Sequence, residues 1–197
     1  YIRDQGRYFN PTVHYLDDEK LPAVEPGGDY FITTAITDHA IECLQDHAAN
    51  FPERPFFHYL AYTAPHFPLH ILPGDLEKYR DRYNGGWEHI RQERYERMQE
   101  MGIYSGPLSE VERDLGPPYD FPDHLQILGP EEVNRPLPWK QLTPEQKRFQ
   151  ATKMALHAAM LDRVDQDIGR IIAQLKAMDQ LENTIILFLS DNGASAE

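Results

Sequence analysis

The feature that most constrains the fold is an apolar run near the end of the 197-residue chain. Residues 185–189 are all apolar, and Ser190-Asp191-Asn192-Gly193 follows them directly. An apolar run without polar alternation is typical of a strand that helices cover on both faces, as in a parallel sheet. Ligands of such sheets bind just beyond the carboxyl ends of the strands. The pattern therefore predicts a strand over 184–190 and places Asp191 and Asn192 where an α/β protein keeps its functional site.

A second segment has the same organisation. Residues 56–62 are rich in aromatic side chains, which predicts a strand, and they run into the loop Thr63-Ala64-Pro65-His66-Phe67-Pro68. Apolar residues at three- and four-residue spacing predict amphipathic helices over 30–49 and from Pro144 to about residue 178. Helices that alternate with apolar strands indicate an α/β layered sheet.

The remaining segments are predicted from turn formers and caps. Residues 1–28 are expected to form a loop or a short hairpin, with a short strand at 13–16. Residues 75–103 are helical with a break at 83–86, and the proline-rich stretch 104–142 is predicted to be an irregular insertion, lid or binding loop, or to be partly disordered. Either Asp29 or Thr33 is expected to cap the first long helix, and Thr143 the last one.

Composition excludes several classes of function. The net charge of −13 argues against nonspecific nucleic-acid binding, which needs clustered lysine and arginine. No apolar run approaches the roughly 20 residues that span a bilayer, and the first residues have no apolar segment typical of a signal peptide. The single cysteine, Cys43, excludes an internal disulfide, and its helical context predicts a buried, unreactive side chain.

Asp191 and Asn192 are the first candidate site residues. Both carry side-chain oxygens, the ligands that Ca²⁺ and Mg²⁺ prefer, and Gly193 permits a sharp turn behind them. From the residues alone, a metal site and a simple Asx-turn that closes the strand are equally good interpretations. Two ligands do not complete a metal site, so further carboxylates are expected from elsewhere.

His66 is the second candidate, on a loop that two prolines stiffen. If the two predicted strands are neighbours, His66 and Asp191 converge on one edge of the sheet. A histidine there can donate a hydrogen bond to an anionic oxygen or protonate a leaving group, and a plain surface-loop histidine is the equal alternative. His58 and His70 are weaker candidates, and salt bridges or caps are the favoured roles for the acidic residues Asp162 and Asp165.

Taken together, these segments resemble the sulfatase family of the alkaline phosphatase superfamily. The resemblance rests on the strand and loop at 56–69 with its Ala-Pro-His-x-Pro motif, on 78–87, on the helical segment 158–171, on 183–194, and on the helix at 30–44. It covers most of the chain outside 104–142, where sulfatases vary.

The resemblance implies a partial three-layer α/β/α sandwich of the alkaline phosphatase-like type, with an incomplete sheet. It also implies a calcium-dependent hydrolase of small-molecule or carbohydrate sulfate esters, with Mg²⁺ a less favoured metal. Asp191 and Asn192 match the second pair of metal ligands of the family, and His66 matches the histidine that contacts the sulfate or the leaving-group oxygen. The Cys-x-Pro-Ser-Arg motif, whose cysteine becomes the formylglycine nucleophile, is absent, as is the first Asp-Asp metal pair. We therefore expect residues 1–197 to be the central part of a catalytic domain, without a nucleophile and inactive alone.

Two alternatives remain open from the sequence. The first is a phosphatase, phosphonate hydrolase or phosphodiesterase of the same superfamily, which a different nucleophile segment would identify. The second is a non-catalytic binding or structural homologue that kept the sheet. For the whole protein, a periplasmic or secreted location is expected, and neither the particular sulfate ester nor the oligomeric state follows from these residues.

Overall fold

The computed structural model of the chain describes residues 6–111, 129, 131–133 and 137–193. In that part of the chain the helices are α1 (Ile32–Asn50), α2 (Pro73–Leu76), α3 (Trp87–Glu100) and α4 (Pro144–Ala177). Short 3₁₀ turns lie at Trp139–Gln141 and Leu181–Asn183, and two strands, β1 (Tyr15–Leu16) and β2 (Glu19–Lys20), pair with each other. Among the helices described, none has the length and apolar character that crossing a bilayer requires.

The short hairpin predicted within residues 1–28 is confirmed. β1 and β2 are antiparallel, with Tyr15 opposite Lys20 and Leu16 opposite Glu19. Asp17 in the connecting turn has a φ of 50°, a left-handed conformation that aspartate tolerates better than most residues. The strand is shorter than the predicted 13–16.

The amphipathic helix predicted over 30–49 is confirmed as α1. Its buried residues recur at helical spacing and are Ile32, Thr33, Thr37, Ala40 and Leu44. The cap prediction is wrong: Phe31 occupies the N-cap position without a side-chain hydrogen bond, and Thr33 is buried inside the helix. Burial sets this helix start instead, because Phe31 and Ile32 pack with Tyr8 in an apolar cluster, and the Ile32 amide donates to the Tyr8 carbonyl at 2.9 Å.

The predicted start of α4 is also confirmed. The Thr143 hydroxyl accepts from the Gln146 amide at 3.2 Å, and the Gln146 side chain accepts from the Thr143 amide at 3.0 Å. This reciprocal pair is a capping box, which satisfies two amides that the helix itself leaves unpaired. Of the apolar residues at helical spacing along α4, Ala155, Ala158, Val164 and Leu175 are buried, whereas Met154 and Leu161 are exposed.

The structure differs most from the sequence prediction at the two predicted strands. Residues 56–62 and 184–190 are assigned neither helix nor strand, and strand pairing within the described residues is confined to β1 and β2. Their apolar side chains are exposed: Phe57 is 92% exposed, Ile185 88% and Phe188 78%. A strand is stabilised by hydrogen bonds and side-chain contacts from neighbouring strands, and the described residues supply neither here. The described residues are thus mainly helical with one two-stranded sheet, so of the predicted partial α/β/α sandwich with an incomplete sheet they show the helices and no strand at these two segments.

The chain divides into two compact units. The first comprises Tyr1–Asp75 and Ala159–Leu187, and the second Leu76–Ala158 and Phe188–Glu197. The second unit includes a close approach at Gly86, whose φ is 85° and where an added Cβ would lie 2.3 Å from the Trp139 ring. The break predicted at 83–86 is confirmed there, because α3 starts directly after Gly86. Much of the predicted insertion 104–142, namely 112–128, 130 and 134–136, lies outside the described residues.

Candidate functional site

Asp191 and Asn192 lie in an exposed turn at the end of the second predicted strand segment. The Ser190 hydroxyl donates to the Asn192 carbonyl at 2.6 Å, which closes the turn. The Asn192 side-chain amide donates through Nδ2 to the Gly193 carbonyl at 2.7 Å. Since the nitrogen of this amide is engaged by the backbone, its oxygen Oδ1 remains available as a second oxygen ligand beside the Asp191 carboxylate.

The two oxygen donors fit a hard cation by chemistry but not by number. Ca²⁺ takes six to eight oxygen ligands, and two neighbouring side chains supply only a small part of such a set. Within the described residues, no group of three or more histidine, cysteine, aspartate or glutamate side chains is arranged to hold a metal ion. Asp191 and Asn192 are therefore compatible with part of a calcium site, as predicted, and with a simple turn.

His66 lies on the exposed loop that follows residues 56–62. Its backbone amide donates to the Thr63 carbonyl at 2.9 Å, and its ring nitrogen Nδ1 is 2.6 Å from the Phe67 carbonyl oxygen. The peptide bonds before Pro65 and Pro68, on either side of His66, are both cis. The loop thus holds the ring against its own backbone while the side chain stays accessible.

Two tyrosines anchor the His66 loop, and the sequence analysis identified neither. The Tyr8 hydroxyl donates to the Phe67 carbonyl at 3.4 Å. Tyr62 lies 2.8 Å from the Thr37 hydroxyl on α1 and is the donor, because that hydroxyl itself donates to the Thr33 carbonyl. Burial raises the pKa of Tyr62, so it stays protonated and able to donate. In the sequence an aromatic residue in a strand-like run indicates only β propensity, so no signal distinguished Tyr62 as an anchor.

An ion pair inside the first unit fixes the helix that follows the His66 loop. Arg163 of α4 donates through Nε and Nη2 to the two carboxylate oxygens of Asp75 in α2, at 2.9 and 2.6 Å. Asp75 is only 7% exposed, so the charge pair is bidentate and largely desolvated. Two neighbouring acids, for which the sequence predicts salt bridges or caps, have other surroundings: Asp162 accepts from Gln166 at 2.8 Å, and Asp165 is exposed. In the sequence, the only indication that Arg163 makes a buried contact is its position on the partly buried side of α4.

Cys43, His58 and His70 are the remaining residues that the sequence brought into question, and none of them has the surroundings of a site residue. The prediction that Cys43 is buried is wrong, because the residue is exposed, with its Sγ 3.6 Å from Nε2 of His39. His70 packs its ring against Tyr8 and Phe9 at 5.3 and 5.5 Å between centroids. Burial lowers the pKa of His70, and burial together with the nearby His39 lowers the pKa of His58. Aromatic packing is the observed role of His70.

His66 belongs to the first unit, and Asp191 and Asn192 to the second. Within its own unit, His66 is exposed on a loop, and Asp191 and Asn192 are exposed on a turn. The expectation that they converge at one edge of a sheet stays a prediction.

Comparison with known proteins gives one consistent family. The profile of the Sulfatase family matches residues 4–197. An uncharacterized sulfatase of Schizosaccharomyces pombe is 35% identical over 139 residues, which cover 71% of this chain and 22% of that protein. An arylsulfatase of Klebsiella aerogenes is 31% identical over 145 residues, which cover 73% of this chain and 26% of that protein. The chain thus spans about a quarter of the length of these relatives.

Proposed function

The chain belongs to the sulfatase family, and from that membership we propose that it is the central part of a catalytic domain that hydrolyses sulfate esters. The observation that carries the proposal is the placement of His66 and of Asp191 with Asn192. By the resemblance these residues correspond to functional positions of the family, and all three are exposed on a loop or turn that follows a segment without assigned secondary structure. The substrate class is a small-molecule or carbohydrate sulfate ester.

Asp191 and Asn192 are proposed as two of the ligands of a Ca²⁺ ion, with Mg²⁺ a less favoured occupant. The fixed Nδ2 of Asn192 supports this role, because it leaves Oδ1 and the Asp191 carboxylate as the available atoms of the turn. A bound divalent cation supplies positive charge that stabilises the sulfate oxygens as negative charge shifts onto them. The other ligands are expected from residues beyond those described.

His66 is proposed to contact the sulfate group or the oxygen of the leaving group. Its loop supports this role, since the ring is held against the backbone by Nδ1 while the side chain remains exposed. A positioned imidazole can donate a hydrogen bond to an anionic oxygen or transfer a proton to a departing one. The Tyr8 and Tyr62 hydrogen bonds orient the loop and do not touch substrate in this proposal.

The nucleophile is expected from residues outside these 197. Formylglycine arises from a Cys-x-Pro-Ser-Arg motif, and the single cysteine, Cys43, is followed by Leu44-Gln45-Asp46-His47. The share of the relatives that the chain spans, 22% and 26%, leaves room for that motif elsewhere in a longer protein. We therefore expect no hydrolysis of an aryl sulfate by these residues alone.

The test is the hydrolysis of 4-nitrophenyl sulfate by the longest protein that carries these residues. Asp191→Asn is expected to lower kcat/KM at least about 100-fold, because even groups that only support a metal ligand cost about 10- to 100-fold when changed. The matched control is Asp165→Asn, an exposed helix position whose activity should equal that of the wild type. Wild-type activity in Asp191→Asn would refute the metal role, and cleavage of 4-nitrophenyl phosphate in preference to the sulfate would favour the phosphatase alternative.

A calorimetric titration of the 197-residue chain with Ca²⁺ tests the metal ligands separately. Two side chains do not supply the ligand number that calcium needs, so binding weaker than micromolar is expected. A micromolar site in this chain that Asp191→Asn abolishes would show that the missing ligands lie within it.

A further inference from the structure

The surroundings of His66 determine which of its ring nitrogens carries the proton. Nδ1 lies 2.6 Å from the Phe67 carbonyl oxygen, a hydrogen-bond distance. A carbonyl oxygen can only accept, so Nδ1 must be the donor and must carry a hydrogen. In neutral imidazole only one nitrogen carries a hydrogen, and Nε2 therefore has a lone pair.

The Phe67 carbonyl is itself held in place. The His66 amide donates to the Thr63 carbonyl at 2.9 Å, which closes the turn on one side. The Tyr8 hydroxyl reaches the Phe67 oxygen at 3.4 Å from the other side, and the Tyr8 side chain is 8% exposed and packed in the apolar cluster with Phe31 and Ile32. The backbone oxygen that faces Nδ1 therefore also has a long contact, at 3.4 Å, to the hydroxyl of a buried side chain.

Nε2 is the ring nitrogen that does not face the Phe67 carbonyl, and His66 is exposed. The oxygens of a sulfate ester near pH 7 carry no hydrogen and act as acceptors. A lone pair on Nε2 cannot form a hydrogen bond with such an oxygen, whereas protonated imidazole has a hydrogen on both nitrogens. The nitrogen available to a ligand is thus an acceptor in neutral His66 and a donor in the cation.

We propose that the Phe67 carbonyl fixes neutral His66 as the Nδ1–H tautomer, so that Nε2 binds a sulfate oxygen only after taking up a proton itself. The proton comes from solvent and gives the imidazolium, which then donates Nε2–H to the anion while Nδ1–H stays on Phe67. This inference rests on the proposed function for its ligand, but the tautomer does not. Phe67 is a positioning residue here, since it acts through His66 and through its backbone only.

Among the described residues, three further ionisable side chains lie at this loop: Tyr8, Tyr62 and His70. Burial raises the pKa of both tyrosines and lowers the pKa of His70, so all three are mainly neutral near pH 7. Tyr8 and His70 stack edge to face with 5.3 Å between ring centroids. None of the three brings a positive charge that would replace the imidazolium of His66.

The chain contains a matched internal control. His47 at the end of α1 lies with Nε2, not Nδ1, 2.9 Å from a backbone carbonyl oxygen, that of Arg54. By the same reasoning His47 carries its hydrogen on Nε2 and has the opposite tautomer. Both histidines thus interact with a backbone oxygen, and only the nitrogen that faces it differs.

The experiment is a two-bond ¹H–¹⁵N correlation spectrum of the whole chain labelled at histidine nitrogen, recorded about two pH units above the His66 midpoint. His66→Asn and His47→Gln assign the two sets of signals by their loss. We expect a protonated Nδ1 and an unprotonated Nε2 for His66 and the reverse for His47. Relative to His66 in the urea-unfolded chain, the tautomer ratio of folded His66 should shift about threefold to tenfold towards Nδ1–H, the range that one net hydrogen bond accounts for. A ratio equal to that of the unfolded chain, or the His47 pattern at His66, overturns the inference.

A second measurement adds inorganic sulfate against sodium chloride at equal ionic strength. About one pH unit below the His66 midpoint, sulfate should shift the Nε2 signal, and two units above the midpoint it should not. An equal shift at both pH values contradicts the inference, and so does the absence of a shift at both. A correct tautomer without any response to sulfate counts against the proposed anion-binding role of His66, whereas a wrong tautomer with a response counts against the tautomer alone.

Discussion

At the scale of single residues, burial decides how several histidines ionise. Burial lowers the pKa of His157 on α4, and its Nδ1 is buried without a hydrogen-bond partner among the described residues. His58 and His70 have lowered pKa values for the same principal reason. The folded chain therefore binds fewer protons than the unfolded chain just below pH 6.5, the ordinary histidine value given for these groups.

This shift predicts a pH dependence of stability. Since the unfolded state binds more protons, the free energy of unfolding is fully retained above about pH 6.5 and falls as the pH drops through that value towards the folded pKa. Urea unfolding at about pH 7.5 and 5.5 measures the difference. His157→Gln should reduce it, whereas Thr152→Ala, at an exposed position of the same helix and without an ionisable group, should leave it unchanged. A His157→Gln variant with the full wild-type difference would contradict the assignment.

The Arg163–Asp75 pair gives a second prediction at this scale. Arg163→Met leaves the Asp75 carboxylate buried without its counter-charge, which should lower the free energy of unfolding by about 3 kcal/mol. The double variant Arg163→Met/Asp75→Leu removes both charges and should recover most of that loss. Denaturant unfolding of the wild type, both single variants and the double variant completes the cycle. Equal losses in Arg163→Met and in the double variant would show that packing rather than charge dominates.

At the scale of elements, local sequence determines where α4 begins. Thr143 and Gln146 satisfy each other's backbone amides, and Pro144 occupies the first helical position, where its missing amide hydrogen has no cost. The start of α1 follows from tertiary packing instead, because Phe31 and Ile32 are buried against Tyr8. Local patterns therefore predicted the start of α4 correctly and assigned the wrong cap to α1.

The capping box of Thr143 and Gln146 is predicted to stabilise the folded chain. Thr143→Ala removes the side-chain acceptor and should lower the free energy of unfolding by about 1 kcal/mol. Thr152→Ala is the matched control, since it makes the same change at an exposed position inside α4, where alanine has the better helix propensity. Thermal and urea unfolding should show a loss for the first variant only. Equal stability of the two variants would mean that the box contributes nothing measurable.

At the scale of the whole molecule, residues 56–62 and 184–190 leave apolar side chains in contact with water. Residues 185–189 are between 49% and 88% exposed, and Phe57 and Tyr59 are also exposed. An exposed apolar run with high β propensity can pair with the same run in other chains. The net charge of −13 opposes association through repulsion, more weakly as salt screens it.

We therefore predict that the isolated chain self-associates as salt and protein concentration rise. Sedimentation velocity should detect species larger than the 22.9 kDa monomer. Leu187→Lys should reduce their fraction, because it places a charge within the exposed apolar run. The control is Thr152→Lys, which adds the same charge at an exposed position of α4. If Thr152→Lys reduced the association as much as Leu187→Lys, the exposed apolar run would not be its cause.

The sequence by itself determined the family, the helices and the candidate residues. Periodicity over 30–49 and after Pro144 reflects which face of a helix is buried, and the Thr143 cap acts between neighbours in the chain, so both can be predicted locally. The conformation of residues 56–62 and 184–190 could not be predicted locally, because an apolar run forms a strand only where another strand pairs with it. Only the tertiary structure decided that Tyr8 and Tyr62 anchor the His66 loop, that Arg163 neutralises Asp75, and that Cys43 is exposed. Those contacts join residues distant in sequence or depend on what packs over a helix face, and neither propensity nor spacing contains that information.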